Sequence, residues 1–194
     1  MREIAILTFQ SLDGVMQSPM SPDEDMSNGF TRGGWAAKYY DEVMQQVRAE
    51  AMNQPYDFLF GRKTYDIFAS HFSDSKEETP GSQKMNQAKK YCVTTSMSSD
   101  LSWDNSIRIT GDVVDKISRL KEEDGPLLQV HGSAKLIQTL IANNLVDEFR
   151  LWTFPVILGN GKRVFGEGSI PNTLSLIKNR STGNGVMMGI YRLD

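Results

Sequence analysis

Between Ile4 and Phe154, short β-rich runs alternate with amphipathic helical patterns; after Phe154, strands follow one another with no helix between them. Alternation demands parallel strands joined by crossover helices, whereas a terminal hairpin adds antiparallel strands. The expected fold is therefore α/β: a single domain over residues 1–194, built on a mixed, mostly parallel central sheet flanked by helices and closed by a C-terminal antiparallel hairpin. Ile4, Ile6 and Leu7 to Phe9 mark the first, buried strand. Trp35, Tyr39, Val43, Val47 and Ala51 recur every four residues, the spacing of one helix face, which puts Asp41 about two turns into that helix. Tyr56–Phe60, Lys90–Thr94, Ile107–Ile109, Leu127–Val130 and Phe149–Phe154 read as strands. Helices are expected from Lys63, from the N-cap Asp112 to about Glu122, and from Gly132-Ser133 along the stripe Leu136, Ile137, Leu140, Ile141. Gly183-Asn184-Gly185 turns the strand Thr173–Lys178 into Val186–Leu193. Gln10 to Gly34 is too long for an ordinary connection and is a lid, a binding loop or a disordered segment. His71 to Gln83 is polar and mobile in composition.

With 39% hydrophobic and 23% charged residues, the chain of 194 can bury a full core. A net charge of −3 lacks the basic excess of a general nucleic-acid binder. No apolar run approaches the roughly 20 residues of a membrane helix, and the start MREIAILTFQ lacks the long apolar region of a secretion signal. The single cysteine, Cys92, rules out an internal disulfide, and with only His71 and His131 a Cys/His zinc cage is not expected. These features point to a reducing cytoplasm. Cys92, mid-strand, and the pair Met187-Met188 read as core filling.

The strongest local feature is Gly61-Arg62-Lys63-Thr64, at a strand-to-helix turn. Glycine permits the turn, and the free N–H groups of the helix's first turn favour an anion. Two readings stand open: a phosphate seat, or a capped turn with two solvated basic residues. Val130-His131-Gly132-Ser133-Ala134 repeats the arrangement, and its alternative is a plain turn with a serine cap. Thr94-Thr95-Ser96 ends another strand on the same edge and offers hydroxyls. Two anion-ready turns on one sheet edge favour a dinucleotide lying across it. The Rossmann fingerprint is missing, since Gly159-Asn160-Gly161 has Val164 where a third glycine belongs, and Gly161-Lys162 continues with Arg163 rather than the hydroxyl of a Walker A loop. His131 reads as a packed or hydrogen-bonded residue, and Asp41 as a residue of the solvated face or a candidate facing substrate.

Taken in order, Ser11-Leu12-Asp13-Gly14, Gly61-Arg62-Lys63-Thr64-Tyr65, Val130-His131-Gly132-Ser133-Ala134 and Pro155-Val156-Ile157-Leu158-Gly159-Asn160-Gly161 resemble the stand-alone bacterial proteins similar to the reductase domain of the riboflavin-biosynthesis deaminase-reductase. That family shares the dihydrofolate reductase fold. The resemblance implies an NADPH-dependent reductase acting on a ribosylamino-pyrimidine such as 5-amino-6-(5-phosphoribosylamino)uracil, working as a homodimer. Arg62, Lys63 and Thr64 would hold cofactor phosphates, Thr95 and Ser96 would lie near the 2′-phosphate, and Gly132, Ser133 and Ala134 would cover the pyrophosphate. Asp13, Val15 and Met16 would stand beside the nicotinamide, Asp13 orienting the loop or substrate. Asp41 is the nearest candidate for the acid that dihydrofolate reductases carry in their first helix. The zinc deaminase of the full riboflavin enzyme is excluded, because its His/Cys/Cys set is missing. A pterin or other C=N or C=O reductase, and an NADPH-binding protein without turnover, are the alternatives.

Overall fold

The computed structural model describes residues 1–73, 79–98, 100–166 and 169–194. One eight-stranded sheet runs through it. Its strands are β1 (Ile4–Ser11), β2 (Tyr56–Gly61), β3 (Lys90–Val93), β4 (Ser106–Ile109), β5 (Leu127–Val130), β6 (Glu148–Phe154), β7 (Leu174–Ser181) and β8 (Met187–Leu193). In space the order is β4-β3-β2-β5-β1-β6-β8-β7. The first six in that order are parallel, and β8 runs antiparallel to both its neighbours, β6 and β7. β1 lies at the centre, with Ile6 opposite Val130 on one side and Phe149 on the other. The helices are α1 (Glu42–Asn53), α2 (Arg62–Phe72), α3 (Pro80–Gln87), α4 (Val113–Glu122) and α5 (Ala134–Ala142).

Strand pleating sends alternate residues to opposite faces. One face carries Ile4, Ile6, Leu59, Leu128 and Val130 into a cluster with Ile117 and Leu120 of α4 and Leu136, Ile137 and Leu140 of α5. On the other face the core splits. Phe58 and Phe60 pack with Tyr65 and Ala69 of α2 and Met85 of α3. Trp152, Phe154 and Met188 pack with Met44 of α1 and with Val15, Phe30 and Trp35. Between those two clusters a cleft of about 940 Å³ opens over Leu7, Phe9 and Gln129.

Three local expectations need correction. The helix does not begin at Trp35. Residues Ala37–Tyr39 make one 3-10 turn, and Asp41, in extended backbone at φ −134°, caps α1 by accepting from the Met44 N–H. The four-residue spacing marked a real apolar face, since Trp35, Tyr39, Val43 and Val47 share one cluster. An irregular strap, rather than a helical turn, delivers its first half. His71 to Gln83 is not uniformly polar loop: α2 continues to Phe72, and Thr79 opens α3 with a reciprocal hydrogen-bond box to Ser82 and Pro80 in the first turn. Residues 74–78 of that stretch lie outside the described residues. Met187 is 64% exposed, and only Met188 of the pair fills core. Cys92 is fully buried. Among the described residues no helix is long and apolar enough to cross a membrane.

Candidate active site

Two strand-to-helix turns meet at the carboxyl edge of the sheet. The Gly61 N–H donates to the Gly132 carbonyl at 3.0 Å, tying the β2–α2 turn to the β5–α5 turn. Gly132 has φ +151°, and a Cβ there would lie 2.7 Å from Thr64 Oγ1, so the close approach requires glycine. The Gly132–Ser133 peptide is cis. Neither Gly61 nor Ser133 supplies a side-chain cap to its helix. The first-turn N–H groups of α2 and α5 thus remain donors at one edge. Lys63, Thr64, Ser133, Ala134 and Met16 all line the cleft. Of the residues expected to cover a pyrophosphate, Gly132 lies behind this lining as the contact between the two turns.

The stretch from Gln10 to Gly34 is an ordered strap over the end of the cleft. Gly14, at φ +82°, turns it. Val15 bridges to Arg163, the Met16 N–H donates to the Lys162 carbonyl, and Gln17 Nε2 donates to the carbonyls of Asp25 and Ser27. Asp25 lies between two cations: Lys63 Nζ reaches Oδ1 at 2.6 Å, and Lys162 Nζ reaches Oδ2 at 2.6 Å. Burial works against the Asp25 charge, but the hydrogen bonds from Lys162, Lys63 and Ser27 outweigh it and hold the carboxyl well below the usual range. Asp25 and Lys162 both line the cleft. Neither was singled out in the sequence as a site residue, because Asp25, Lys63 and Lys162 come from three distant segments. The glycine loop Gly159–Gly161, noted there as an incomplete Rossmann fingerprint and as the end of the Pro155–Gly161 motif, was the available signal for Lys162.

Asp13 and Val15 do not face the cleft. Asp13 accepts from Ser11 Oγ at 2.6 Å and from the N–H groups of Leu158 and Gly159 at 3.1 and 2.8 Å. Burial, the largest single influence, raises its pKa, yet the hydrogen bonds from Ser11, Leu158 and Gly159 together bring it down to about 2. The role is to clip the strap to the Leu158–Gly159 loop. Val15 is fully buried among Phe30, Trp35 and Leu158. The Asp41 carboxylate is committed to the start of α1, 2.9 Å from the Met44 N. Arg62 pairs with Asp66 at 2.8 Å on α2, and its charge acts on the Cys92 thiol of β3, so it stands on the outer, β3 side of the turn. Thr95 and Ser96 follow β3 directly, and the register Gly61↔Val93 puts them on the same edge beside Gly61.

The other half of the cleft is walled differently. α1 contributes Val47, Arg48, Glu50 and Ala51, and β6 contributes Arg150 and Trp152. Glu50 is taken up by Lys178 and Arg180 of β7 at 3.4 and 3.0 Å, and Arg150 by Glu148 at 2.5 Å. His131 closes the inner end, its ring 5.7 Å from Phe58 and 5.4 Å from Phe68. Burial, with the charges of Arg48 and Arg150, lowers its pKa to about 3, so the imidazole is neutral at physiological pH.

Residues 2–188 match the family described as the RibD C-terminal domain. The chain belongs to that family. A relative of this RibD C-terminal domain, the uncharacterized protein YyaP of Bacillus subtilis (strain 168), is 32% identical over 146 residues, 72% of this chain and 75% of YyaP. A pyrimidine reductase-like protein of Corynebacterium diphtheriae superposes with a TM-score of 0.66 at 12% identity, covering 100% of this chain and 92% of its own. Dihydrofolate reductase of Enterococcus faecalis, in a complex with NADP(H), superposes with a TM-score of 0.62 at 10% identity over 99% of this chain and 96% of its own. The RibD C-terminal domain described here therefore has the dihydrofolate reductase-like fold.

Proposed function

We propose that the chain is an NADPH-dependent reductase, with 5-amino-6-(5-phosphoribosylamino)uracil or a related small molecule as substrate. The observation that carries the reading is the edge where two helix N-termini without side-chain caps face Lys63 and Lys162. That set of donors suits a dinucleotide: backbone N–H groups, the Thr64 and Ser133 hydroxyls and the two ammonium groups, shared with Asp25, take phosphate oxygens, and the glycine contact holds the two turns together. Arg62, Thr95 and Ser96, on the β3 side, are assigned to the 2′-phosphate, and Arg62 would exchange Asp66 for it. When bound, the cofactor supplies a hydride from its nicotinamide. The protein's share is position and dryness: the strap, held by Asp13 and Asp25, covers the site, and Met16 and the aromatic walls exclude water. Membership of the RibD C-terminal domain family supports a pyrimidine substrate over a pterin. So does Asp41, whose carboxylate is occupied in capping α1 and does not line the cleft. A homodimer in a reducing cytoplasm completes the proposal.

Calorimetry with NADPH and NADH tests it. NADPH should bind roughly 10-fold tighter or more, the worth of charge-assisted contacts to one extra phosphate. Lys162→Ala should weaken NADPH by a similar factor and, because it leaves the Asp25 carboxylate with Lys63 alone, should also lower the melting temperature. Equal affinity for the two cofactors would overturn the phosphate assignment.

A further inference from the structure

Gln129 sits where a sheet of this kind has an apolar residue. It lies on β5, next to Ala5 of β1 and Phe58 of β2, at the middle of the parallel region. Interior parallel strands are covered on both faces and read as hydrophobic runs. The flanking Leu128 and Val130 obey this and point into the core on the α4–α5 face. Gln129 points the other way, onto the cleft floor, and is 2% exposed. Among the described residues its Nε2 has no hydrogen-bond partner. Buried amide groups are nearly always paired, and an orphan on the floor of a cleft marks a place for a partner from outside the chain.

The neighbouring atoms say which partner. His131 Nε2 lies 3.4 Å from Gln129 Oε1. An amide oxygen only accepts, so that ring nitrogen carries the proton and Nδ1 keeps a lone pair. The floor thus offers the Gln129 N–H as a donor to a ligand. Phe58 and Phe68 stand beside the imidazole, and Trp152 lines the same cleft. We infer that Gln129 is the residue that reads the substrate, its amide N–H donating to the carbonyl of a lactam edge on a flat heterocycle. The carbonyl of an –NH–C(=O)– edge matches the donor, and a flat ring matches the aromatic walls. Calling this ligand the substrate rests on the reductase reading, whereas recognition of the lactam does not.

Lumazine and uracil, two flat rings carrying that edge, serve as probes in fluorescence and calorimetric titrations of the parent, Gln129→Leu and Gln129→Met. The parent should bind at least one of them, and both variants should bind it ~10-fold more weakly, the loss of one hydrogen bond to a buried donor. NADPH affinity should be unchanged, because the phosphate edge is untouched. Melting temperatures of the variants should equal or exceed the parent's, since an unpaired buried amide is replaced by an apolar chain of similar size. Equal probe affinity in parent and variants, no binding of either probe by the parent, or a lowered melting temperature in both variants each overturns the inference, the last by assigning Gln129 to structure alone. If the probes discriminate as stated while the parent fails to bind NADPH, the lactam site stands and the reductase reading falls.

Discussion

His131 is kept from taking up a proton by the rings around it and by Arg48 and Arg150, which bring its pKa from 6.5 to about 3. Between those values the unfolded chain binds a proton that the native protein refuses. Stability therefore rises with pH across that window and is lost as acid protonates the unfolded state. The parent's melting temperature should fall between pH 7 and pH 5, and His131→Leu should remove most of that fall. Thermal melts at the two pH values check it; parallel falls in parent and variant would mean that the imidazole titrates as if in water. The same residue shows which part of the site is legible in a sequence. Gly61-Arg62-Lys63-Thr64 and Gly132-Ser133 stand out because a strand end, a glycine and a helix start are neighbours along the chain. Gln129 and His131 do not, because an amide and an imidazole two residues apart on a strand acquire meaning only when the facing layer leaves them uncovered. Asp25 joins Lys63 and Lys162 only through the tertiary fold, and Asp13 looks like a site residue until its hydrogen bonds to Leu158 and Gly159 are seen.

At the scale of elements, Asp41 separates a cap from an acid. If its carboxylate serves the start of α1, Asp41→Ala should cost about 1 kcal/mol of stability, with NADPH affinity unchanged. Denaturant titration and calorimetry check the pair, and a variant of parental stability with lost turnover would return Asp41 to the chemistry. Strands β1, β2, β3, β5 and β6 were legible as runs of β-branched and aromatic residues between turn signals, and α4 and α5 as apolar stripes behind N-caps. α3 was hidden because only Met85 of its residues is buried, so a stripe hardly exists. Its signal was the pattern Thr79-Pro80-Gly81-Ser82, a capping box with proline in the first turn. The strap was unreadable for a different reason. Its order comes from side chains such as Gln17 and Asp25 bonding to backbone and to distant lysines, which leaves no periodicity behind.

The whole sheet has two edges, β4 and β7, and the second carries two adjacent exposed apolar side chains among its charged ones. Leu176 and Ile177 on β7 are 51% and 57% exposed, with Met187 on β8 also open to solvent. Exposed apolar edges invite pairing with another chain, so the proposed homodimer is expected to use β7. Ile177→Lys should shift the protein towards monomer in sedimentation velocity, and an unchanged dimer would move the interface elsewhere. The middle of the same strand order bears on how the chain comes to be folded. Among the described strands β1 is hydrogen-bonded to β5 and β6 alone, so everything from Leu12 to Pro126 must be synthesised before its first partner exists, and the second follows only at Glu148–Phe154. Throughout that interval the nascent chain carries Ile4, Ile6 and Leu7 on a strand with both edges open. Closing it requires contacts of very high sequence separation, which makes folding slow and the growing chain prone to association. The half-sheet β2-β3-β4 has its three strands within one contiguous stretch and can pair without waiting, so that half is positioned to form first and β1 to enter last, bringing the cleft floor into being only when Leu7 and Phe9 slide in beside Gln129.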